Sequence, residues 1–156
     1  MPDGIESTQT LTKKTTQCPL CLCGKKHKPK HNNMDINTLT GKIIGAAIEV
    51  HRELGPGLLE RAYEVCLMEE LRNMGIHVES QKELPIIYKG KVMEESFRID
   101  MLVEDKVVVE LKAVESLLPV HRAQVLSYMQ LAKKEVGLLI NFHVYLLKNG
   151  IERFHL

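Results

Sequence analysis

The sequence predicts an α/β fold with a mixed central sheet flanked by helices. Two observations carry this prediction: three segments repeat apolar residues at helical spacing, and the segments between them show the two-residue period or short apolar runs typical of strands. Their order along the chain is helices, three or four strands, a helix and a strand, which places helices against the faces of one sheet. With 156 residues, 44% of them hydrophobic, the chain has the size of one domain with a real core.

Residues 1–33 are expected to form a basic, flexible N-terminal extension, and residues 34–156 the folded domain. The extension is rich in Thr, Lys, Pro and Gly without a sustained period. Its six Lys against Asp3 and Glu6 give +4, so the total of +1 leaves −3 for the rest of the chain. Such a domain needs a local groove, the extension or a metal to hold nucleic acid.

The polar start of the chain lacks the apolar stretch of a secretory signal, and no run approaches the roughly 18 apolar residues that cross a bilayer. We therefore expect a cytoplasmic protein without a membrane partner. In that reducing compartment, the four Cys are expected to be thiols or metal ligands.

Two helices are predicted at the start of the folded domain. The first follows a helical apolar pattern from about Leu39 and ends at Gly55, which precedes a proline. The second runs from about Leu58 to Met74 and carries Cys66 in its apolar stripe, so this thiol is expected to belong to the core.

Strands are predicted next, at residues 76–82 and 86–88, followed by a turn at Lys89 and Gly90. A hairpin then joins residues 97–103 to residues 107–113 through a charged turn of three residues.

The last third of the chain is predicted to form a helix, a buried strand and a final hairpin. Pro119 opens the helix, which runs to about Lys134. The apolar run at residues 136–142 is the strand, and the final hairpin turns near residues 148–150.

Two acidic residues are expected to face each other across the 97–113 hairpin. If the turn holds three residues, Val103 pairs with Val107 and Asp100 falls opposite Glu110. Alternation places Lys112 on the same face as Glu110. One face of this hairpin is therefore expected to carry chemistry.

The other face is expected to be core, with Ile99, Met101 and Val103 contributing from the first strand. The plainer interpretation is that Glu110 and the lysine after it form the solvated face of an amphipathic strand, which holds for most E-x-K sequences. The opposed Asp100 favours a chemical site.

Two carboxylates directly across a strand pair repel each other unless a cation lies between them. Mg²⁺ or Mn²⁺ suits this position, because both prefer oxygen ligands such as carboxylates and a main-chain carbonyl. Lys112 would then orient the attacking water or stabilise charge on the transition state.

His121, Gln124 and Tyr128 stand at i, i+3 and i+7 and so share one stripe of the predicted third helix. A polar helix edge explains them equally well.

At this point the chain resembles a known family, the GxxExxY proteins, a group of small PD-(D/E)xK nuclease-like proteins. The resemblance covers about residue 36 to the C terminus and leaves residues 1–33 outside. Its motifs stand in order: GxxExxY at Gly57, Glu60 and Tyr63, D…ExK at Asp100, Glu110 and Lys112, and QxxxY at Gln124 and Tyr128.

The resemblance implies a restriction-endonuclease-like αβββαβ core with a Mg²⁺ or Mn²⁺ site. In such a site Asp100, Glu110 and the Leu111 carbonyl hold the metal, Glu60 supplements its shell, and Lys112 serves catalysis. For Glu60 there is an alternative, because a carboxylate in the first turn of a helix also complements the helix dipole.

The resemblance further implies that Gln124 and Tyr128 help to position the phosphate. For Gly57, with Gly55 before it, a structural role in a tight corner between two helices is the better interpretation. Tyr63 is likewise expected to be a core residue.

The N-terminal extension contains a short cluster of zinc-capable residues: Cys18, Cys21, Cys23, His27 and His31. The spacing is too short for a ββα zinc finger, which needs about a dozen residues between its Cys and His pairs. A compact zinc knot and an unstructured basic tail are the two interpretations that stay open.

Three functions follow from these features. The first is a Mg²⁺-dependent nuclease-like phosphodiesterase that hydrolyses nucleic acid, DNA or RNA, by metal-activated water. The second is a catalytically weak or inactive adaptor with the nuclease fold that binds nucleic acid or protein. The third is an interaction protein organised by zinc in the extension. The opposed carboxylates favour the enzyme, since an adaptor has no evident need for them.

Overall fold

The structure, a computed structural model, describes residues 34–156. Within these residues no helix combines the length and the apolar character needed to cross a membrane. The elements in chain order are α1 (Ile36–Leu54), α2 (Glu60–Asn73), β1 (Val78–Tyr88), β2 (Lys91–Val103), β3 (Val107–Lys112), α3 (Pro119–Ala132), β4 (Val136–Asn141), a 3₁₀ helix (Leu147–Gly150) and β5 (Ile151–His155).

One sheet runs through the domain in the order β1-β2-β3-β4-β5. The β3–β4 pair is parallel and is connected through α3, while the other three pairs are antiparallel. This mixed sheet with flanking helices confirms the predicted α/β class and the αβββαβ order, to which the structure adds α1 before it and β5 after it.

Two apolar cores lie on opposite faces of the sheet. The first core packs α1 and α2 on one face and the second core packs α3 on the other. Both β3 and β4 contribute to both cores, which explains their nearly continuous apolar sequences. Cys66 of α2 is partly buried and packs against the first core.

The first helix begins at Ile36, earlier than the predicted Leu39, because Asp35 caps it. The Asp35 carboxylate accepts hydrogen bonds of 3.1 Å from the N–H groups of Asn37 and Thr38. The helix ends as predicted at Gly55, whose φ of 68° is a conformation that glycine adopts at little cost.

The two strands predicted at residues 76–82 and 86–88 are one strand, β1, which is therefore longer than expected. Pro85 does not end it, because β1 lies at the edge of the sheet, where a missing N–H is tolerated. A bulge follows between Pro85 and Ile87. The final turn near residues 148–150 is a 3₁₀ helix that leads into β5, which pairs antiparallel with β4.

The predicted core face of β2 is wrong at one residue. Ile99 belongs to the second core, whereas Met101 and Val103 belong to the first. In the neighbouring β1, Gln81 has a φ of 53°, and the pairing of β1 with β2 skips Gln81 and Asp100. The backbone of both strands is irregular at this point. The alternation of side chains between the two faces of the sheet therefore does not continue from one side of it to the other.

Gly150 tests the packing at the end of β4. A Cβ at this position would collide with the Asn141 carbonyl oxygen, a backbone atom that cannot rotate away. We expect Gly150→Ala to lower the free energy of unfolding by about 2 kcal/mol or more, as measured by urea denaturation. The matched control is Gly45→Ala in α1, where a Cβ meets nothing within 4 Å. Here we expect no loss, or a gain of up to about 1 kcal/mol. Equal stability of the two variants would contradict this account.

Candidate active site

The β2–β3 hairpin has the predicted turn of three residues. Val103 pairs with Val107, and the three-residue turn between them includes two residues with φ of 51° and 53°. The pairing runs on through Leu102 with Val108 and Met101 with Val109. The pairing ends there, and the Asp100 side chain meets β3 at the N–H of Leu111, the residue after Glu110.

Asp100 is tied to β3 by its side chain. The N–H of Leu111 donates a 2.9 Å hydrogen bond to Asp100 Oδ2. Burial raises the pKa of Asp100, and the negative charges of Glu64 and Glu60 act in the same direction, against the Leu111 hydrogen bond and the charge of Lys112. The Asp100 carboxylate thus bonds the residue that follows Glu110. The positive charge in this region is too small to offset the negative charge of the carboxylates.

Glu110 is the more deeply buried carboxylate, with 2% of its surface exposed. Its Oε1 accepts a 2.7 Å hydrogen bond from Lys112 Nζ, whereas its Oε2 is buried and accepts none from the residues that the structure describes. Burial and then repulsion from Asp100 raise the pKa of Glu110 to about 7. A buried carboxylate oxygen without a partner is rare and points to a missing cation, proton or water.

Lys112 ends β3 and is nearly buried. Burial opposes its charge, but the hydrogen bond to Glu110 and the negative charges of Glu110, Glu60 and Asp100 outweigh this effect and raise the pKa of Lys112. The ammonium group therefore stays protonated at neutral pH.

Glu60 approaches the same region from the first turn of α2. Its Oε1 accepts a 3.1 Å hydrogen bond from the N–H of Ala113, the residue after Lys112. Its charge raises the pKa of both Asp100 and Glu110. The structure therefore brings Glu60, Asp100, Glu110 and Lys112 into one electrostatic group.

A cleft of about 520 Å³ opens beside this group. Two cations, Arg61 and Arg98, lie on its wall, whereas Glu110 and Lys112 are not among its lining residues. The lining residues are Glu60, Arg61, Glu64, Gln81, Arg98, Asp100 and Leu111.

Glu64 and Gln81 are two cleft residues that the sequence analysis missed. Glu64 is 4% exposed, accepts a 3.0 Å hydrogen bond from Gln81 Nε2 and has Arg61 Nη1 2.8 Å from its Oε1. The spacing of Glu64, four residues after Glu60 and hence on the same helix face, is the signal that could have found it. No sequence pattern pointed to Gln81, because no local pattern predicts its φ of 53°.

Asn141 at the end of β4 is a third residue that was missed. Its side-chain amide accepts from the Val114 N–H at 3.0 Å and donates to the Val114 carbonyl at 2.7 Å. The N–H of Phe142 also donates to the Lys112 carbonyl. These contacts fix the chain that leaves β3 and so fix Lys112.

Gln124 and Tyr128 lie together on α3, joined by a 2.8 Å hydrogen bond from Gln124 Nε2 to the Tyr128 hydroxyl. Tyr128 belongs to the second core and packs near Phe97. Neither residue lines the cleft. His121, the third member of the stripe, accepts a hydrogen bond from the Leu118 N–H through Nδ1 and caps the helix.

Gly57 and Tyr63 have the structural environment expected for them. The Tyr63 hydroxyl donates to the Gly55 carbonyl at 2.7 Å and accepts from the Leu58 N–H at 3.0 Å, while its ring stacks on Phe142 at 4.3 Å. Gly57 has a φ of 104°. The corner between α1 and α2 thus depends on Tyr63, and this corner places Glu60.

Within residues 34–156, no three His, Cys, Asp or Glu side chains are grouped closely enough to form a ready metal site. The available donors nonetheless fit a hard divalent cation, since Asp100 and Glu110 offer oxygens, Glu110 Oε2 has no partner, and the group has excess negative charge. Water and substrate oxygens complete such a shell. The predicted zinc ligands lie outside the described residues.

Residues 37–154 match the family model of the PD-(D/E)XK nuclease superfamily. The chain belongs to this superfamily. Neither the curated proteins nor the solved structures gave a match to the chain. Nucleases of the PD-(D/E)XK superfamily generally use divalent metals, and the acidic group at the β2–β3 hairpin lies within the matched range.

The raised pKa of Glu110 predicts how pH changes the stability of the metal-free protein. Between the ordinary glutamate pKa of 4.5 and the raised pKa of about 7, the folded chain keeps a proton that the unfolded chain loses. The free energy of unfolding should therefore fall, by roughly 2 to 3 kcal/mol, as the pH rises through this window, and then level off. Urea denaturation with a chelator present measures this change. Glu110→Gln, which cannot ionise, should remove most of it; an unchanged decline in this variant would contradict the assignment.

Tyr63→Phe tests the role of the motif tyrosine. The variant keeps the ring stacked on Phe142 but leaves the Gly55 carbonyl and the Leu58 N–H without their partner. We expect a loss of about 1 to 2 kcal/mol of stability in urea denaturation. Full stability would show that the hydroxyl does not hold this corner.

Proposed function

We propose that the protein is a Mg²⁺- or Mn²⁺-dependent nuclease-like phosphodiesterase that hydrolyses nucleic acid, DNA or RNA. The observation that carries this proposal is the proximity of two carboxylates: Asp100 bonds the residue after Glu110, and Glu110 has a buried oxygen without a hydrogen-bond partner among residues 34–156. Membership of the PD-(D/E)XK nuclease superfamily supports the same class of reaction.

In this proposal Asp100, Glu110 and the Leu111 carbonyl hold the metal, and Glu60 supplements the shell. A divalent cation bound there supplies Lewis acidity, which lowers the pKa of a water molecule and offsets negative charge on a phosphoryl oxygen. Asp100 keeps its position through the Leu111 N–H, and Glu60 through the Ala113 N–H.

Lys112 acts as a fixed positive charge in this mechanism. Its pKa is raised, so it does not remove a proton from water at neutral pH. Its hydrogen bond to Glu110 aims the ammonium at the site, where it can donate to the attacking water or to a phosphoryl oxygen.

Arg61 and Arg98 are proposed to hold the phosphates that flank the scissile bond. Both line the cleft. Arg61 pairs with Glu64 of the same helix, and Arg98 pairs with Glu83 of the neighbouring strand. Gln124 and Tyr128 keep their proposed role in positioning phosphate, but only for substrate that extends beyond the cleft.

The proposal also keeps the domain boundary at residues 33 and 34 and the cytoplasm as the compartment. The boundary is supported by the family match, which begins at residue 37, and by the cap of α1 at Asp35. Zinc binding by the Cys and His residues of the extension stays a secondary proposal.

A cleavage assay with labelled DNA and RNA, each single-stranded and double-stranded, tests the function. With Mg²⁺ we expect cleavage by the wild type, none by Asp100→Asn or Glu110→Gln, and a loss of roughly 10²-fold for Lys112→Ala. Glu69→Gln is the matched control, because Glu69 is exposed on α2 and does not line the cleft. Its rate should equal that of the wild type.

Thermal unfolding provides a second measurement that does not depend on the choice of substrate. Mg²⁺ should raise the melting temperature of the wild type and of Glu69→Gln, and should leave Asp100→Asn and Glu110→Gln unchanged. Nucleic-acid binding without cleavage and without a metal-dependent shift would favour the inactive adaptor over the enzyme.

A further inference from the structure

The paired strands β1 and β2 extend beyond the rest of the sheet. Their pairing runs from Val78 with Val103 to Tyr88 with Lys91, whereas the pairing of β2 with β3 covers only residues 101–103. Residues 83–98 are therefore a two-stranded ribbon, named here the β1–β2 ribbon. Such a ribbon gains little stability on its own.

The tip of the β1–β2 ribbon, residues 87–92, exposes large apolar side chains. Ile87, Tyr88 and Val92 are each 60% exposed or more. Ile87 pairs with Val92, so these two β-branched side chains stand beside each other, and the aromatic Tyr88 pairs with Lys91 at the next position. A group of this kind is typical of a contact surface.

The tip is also basic. Lys89 and Lys91 lie within it, and Lys89 Nζ is 5.3 Å from the centre of the Tyr88 ring. The acidic residues of the ribbon, Glu83, Glu94 and Glu95, lie towards its base. The combination of two cations with an aromatic and two aliphatic side chains is complementary to a phosphate backbone with bases or sugars beside it.

The base of the ribbon is the wall of the cleft. Arg98 lines the cleft, and Asp100 follows it on the same strand. Lys91 is nine residues before Asp100, so the tip lies about 30 Å from the carboxylate at about 3.3 Å per residue. This distance is close to one turn of a nucleic-acid duplex, about 34 Å.

We propose that the tip of the β1–β2 ribbon binds a duplex nucleic-acid substrate about one helical turn away from the bond held in the cleft. Lys89 and Lys91 contact phosphates, and Tyr88 with its aliphatic neighbours packs against the groove, which accepts a two-stranded ribbon. The inference rests on the proposed function and names its substrate class. The tip supplies local positive charge to a domain whose net charge is negative.

Fluorescence anisotropy of the full chain with labelled duplexes, in a chelator that prevents cleavage, tests the inference. One duplex has about 24 base pairs, roughly two turns, and another about 6, too short to reach both the cleft and the tip. Lys89→Glu with Lys91→Glu should weaken binding of the long duplex at least about tenfold and reduce the salt slope by about 2. Tyr88→Ala should weaken it several-fold.

The matched control is Lys42→Glu with Lys148→Glu, an equal charge change at two exposed lysines of α1 and the 3₁₀ helix. It should bind the long duplex within about twofold of the wild type, since a distant charge is largely screened. The short duplex should bind the wild type and the tip variants equally weakly. Circular dichroism should show all of these variants folded, because the substituted side chains are exposed.

Three outcomes overturn the inference. The inference fails if the tip variants bind the long duplex with unchanged affinity. It also fails if the tip prefers single strands. A change in the sedimentation of the tip variants relative to the wild type would assign the tip to contact between copies of the chain.

If the tip variants bind and cleave normally while Glu110→Gln is inactive, the inference fails and the proposed function stands. If the wild type neither binds nor cleaves any nucleic acid, both fail.

Discussion

Excess negative charge inside the domain is the constraint on which the site depends. The hydrogen bond from Leu111 to Asp100 holds this carboxylate near Glu110, Glu60 lies nearby, and Lys112 contacts Glu110. Burial and then repulsion from Asp100 and Glu60 raise the pKa of Glu110 to about 7, against the opposing effect of Lys112. In the proposed function, a proton and a divalent cation would compete for the same oxygens, so ion binding would release protons near neutral pH.

The surrounding fold holds these carboxylates together against their repulsion. Tyr63 fixes the corner that places Glu60, and Asn141 fixes the chain that leaves Lys112. Both residues bind backbone atoms of separate elements, so α2, β3 and β4 together hold the acidic group in place. Repulsion of this kind costs stability that the two apolar cores offset.

The sequence predicted the parts of the site that obey a regular period. The strand β3 with Glu110 and Lys112 two residues apart, and the three-residue turn that pairs Val103 with Val107, follow from the sequence pattern. The prediction failed where the backbone is locally irregular. The left-handed conformation of Gln81 and the change of core at Ile99 break the alternation of side chains that the prediction assumed. The cleft could not be foreseen either, because side chains of α2, β1, β2 and β3 form it and no local pattern predicts how these elements pack.

The charges of the site also decide between two roles for the lysine of the ExK motif. A lysine that removes a proton from water needs a depressed pKa, which burial alone would provide. At Lys112 the carboxylates outweigh burial and raise the pKa instead. An incoming cation would weaken this effect without removing the direct bond to Glu110 Oε1, which continues to favour the ammonium. In the proposed mechanism, Lys112 would therefore stabilise negative charge, and the proton of the attacking water would pass to another group, such as a carboxylate or a phosphate oxygen of the substrate.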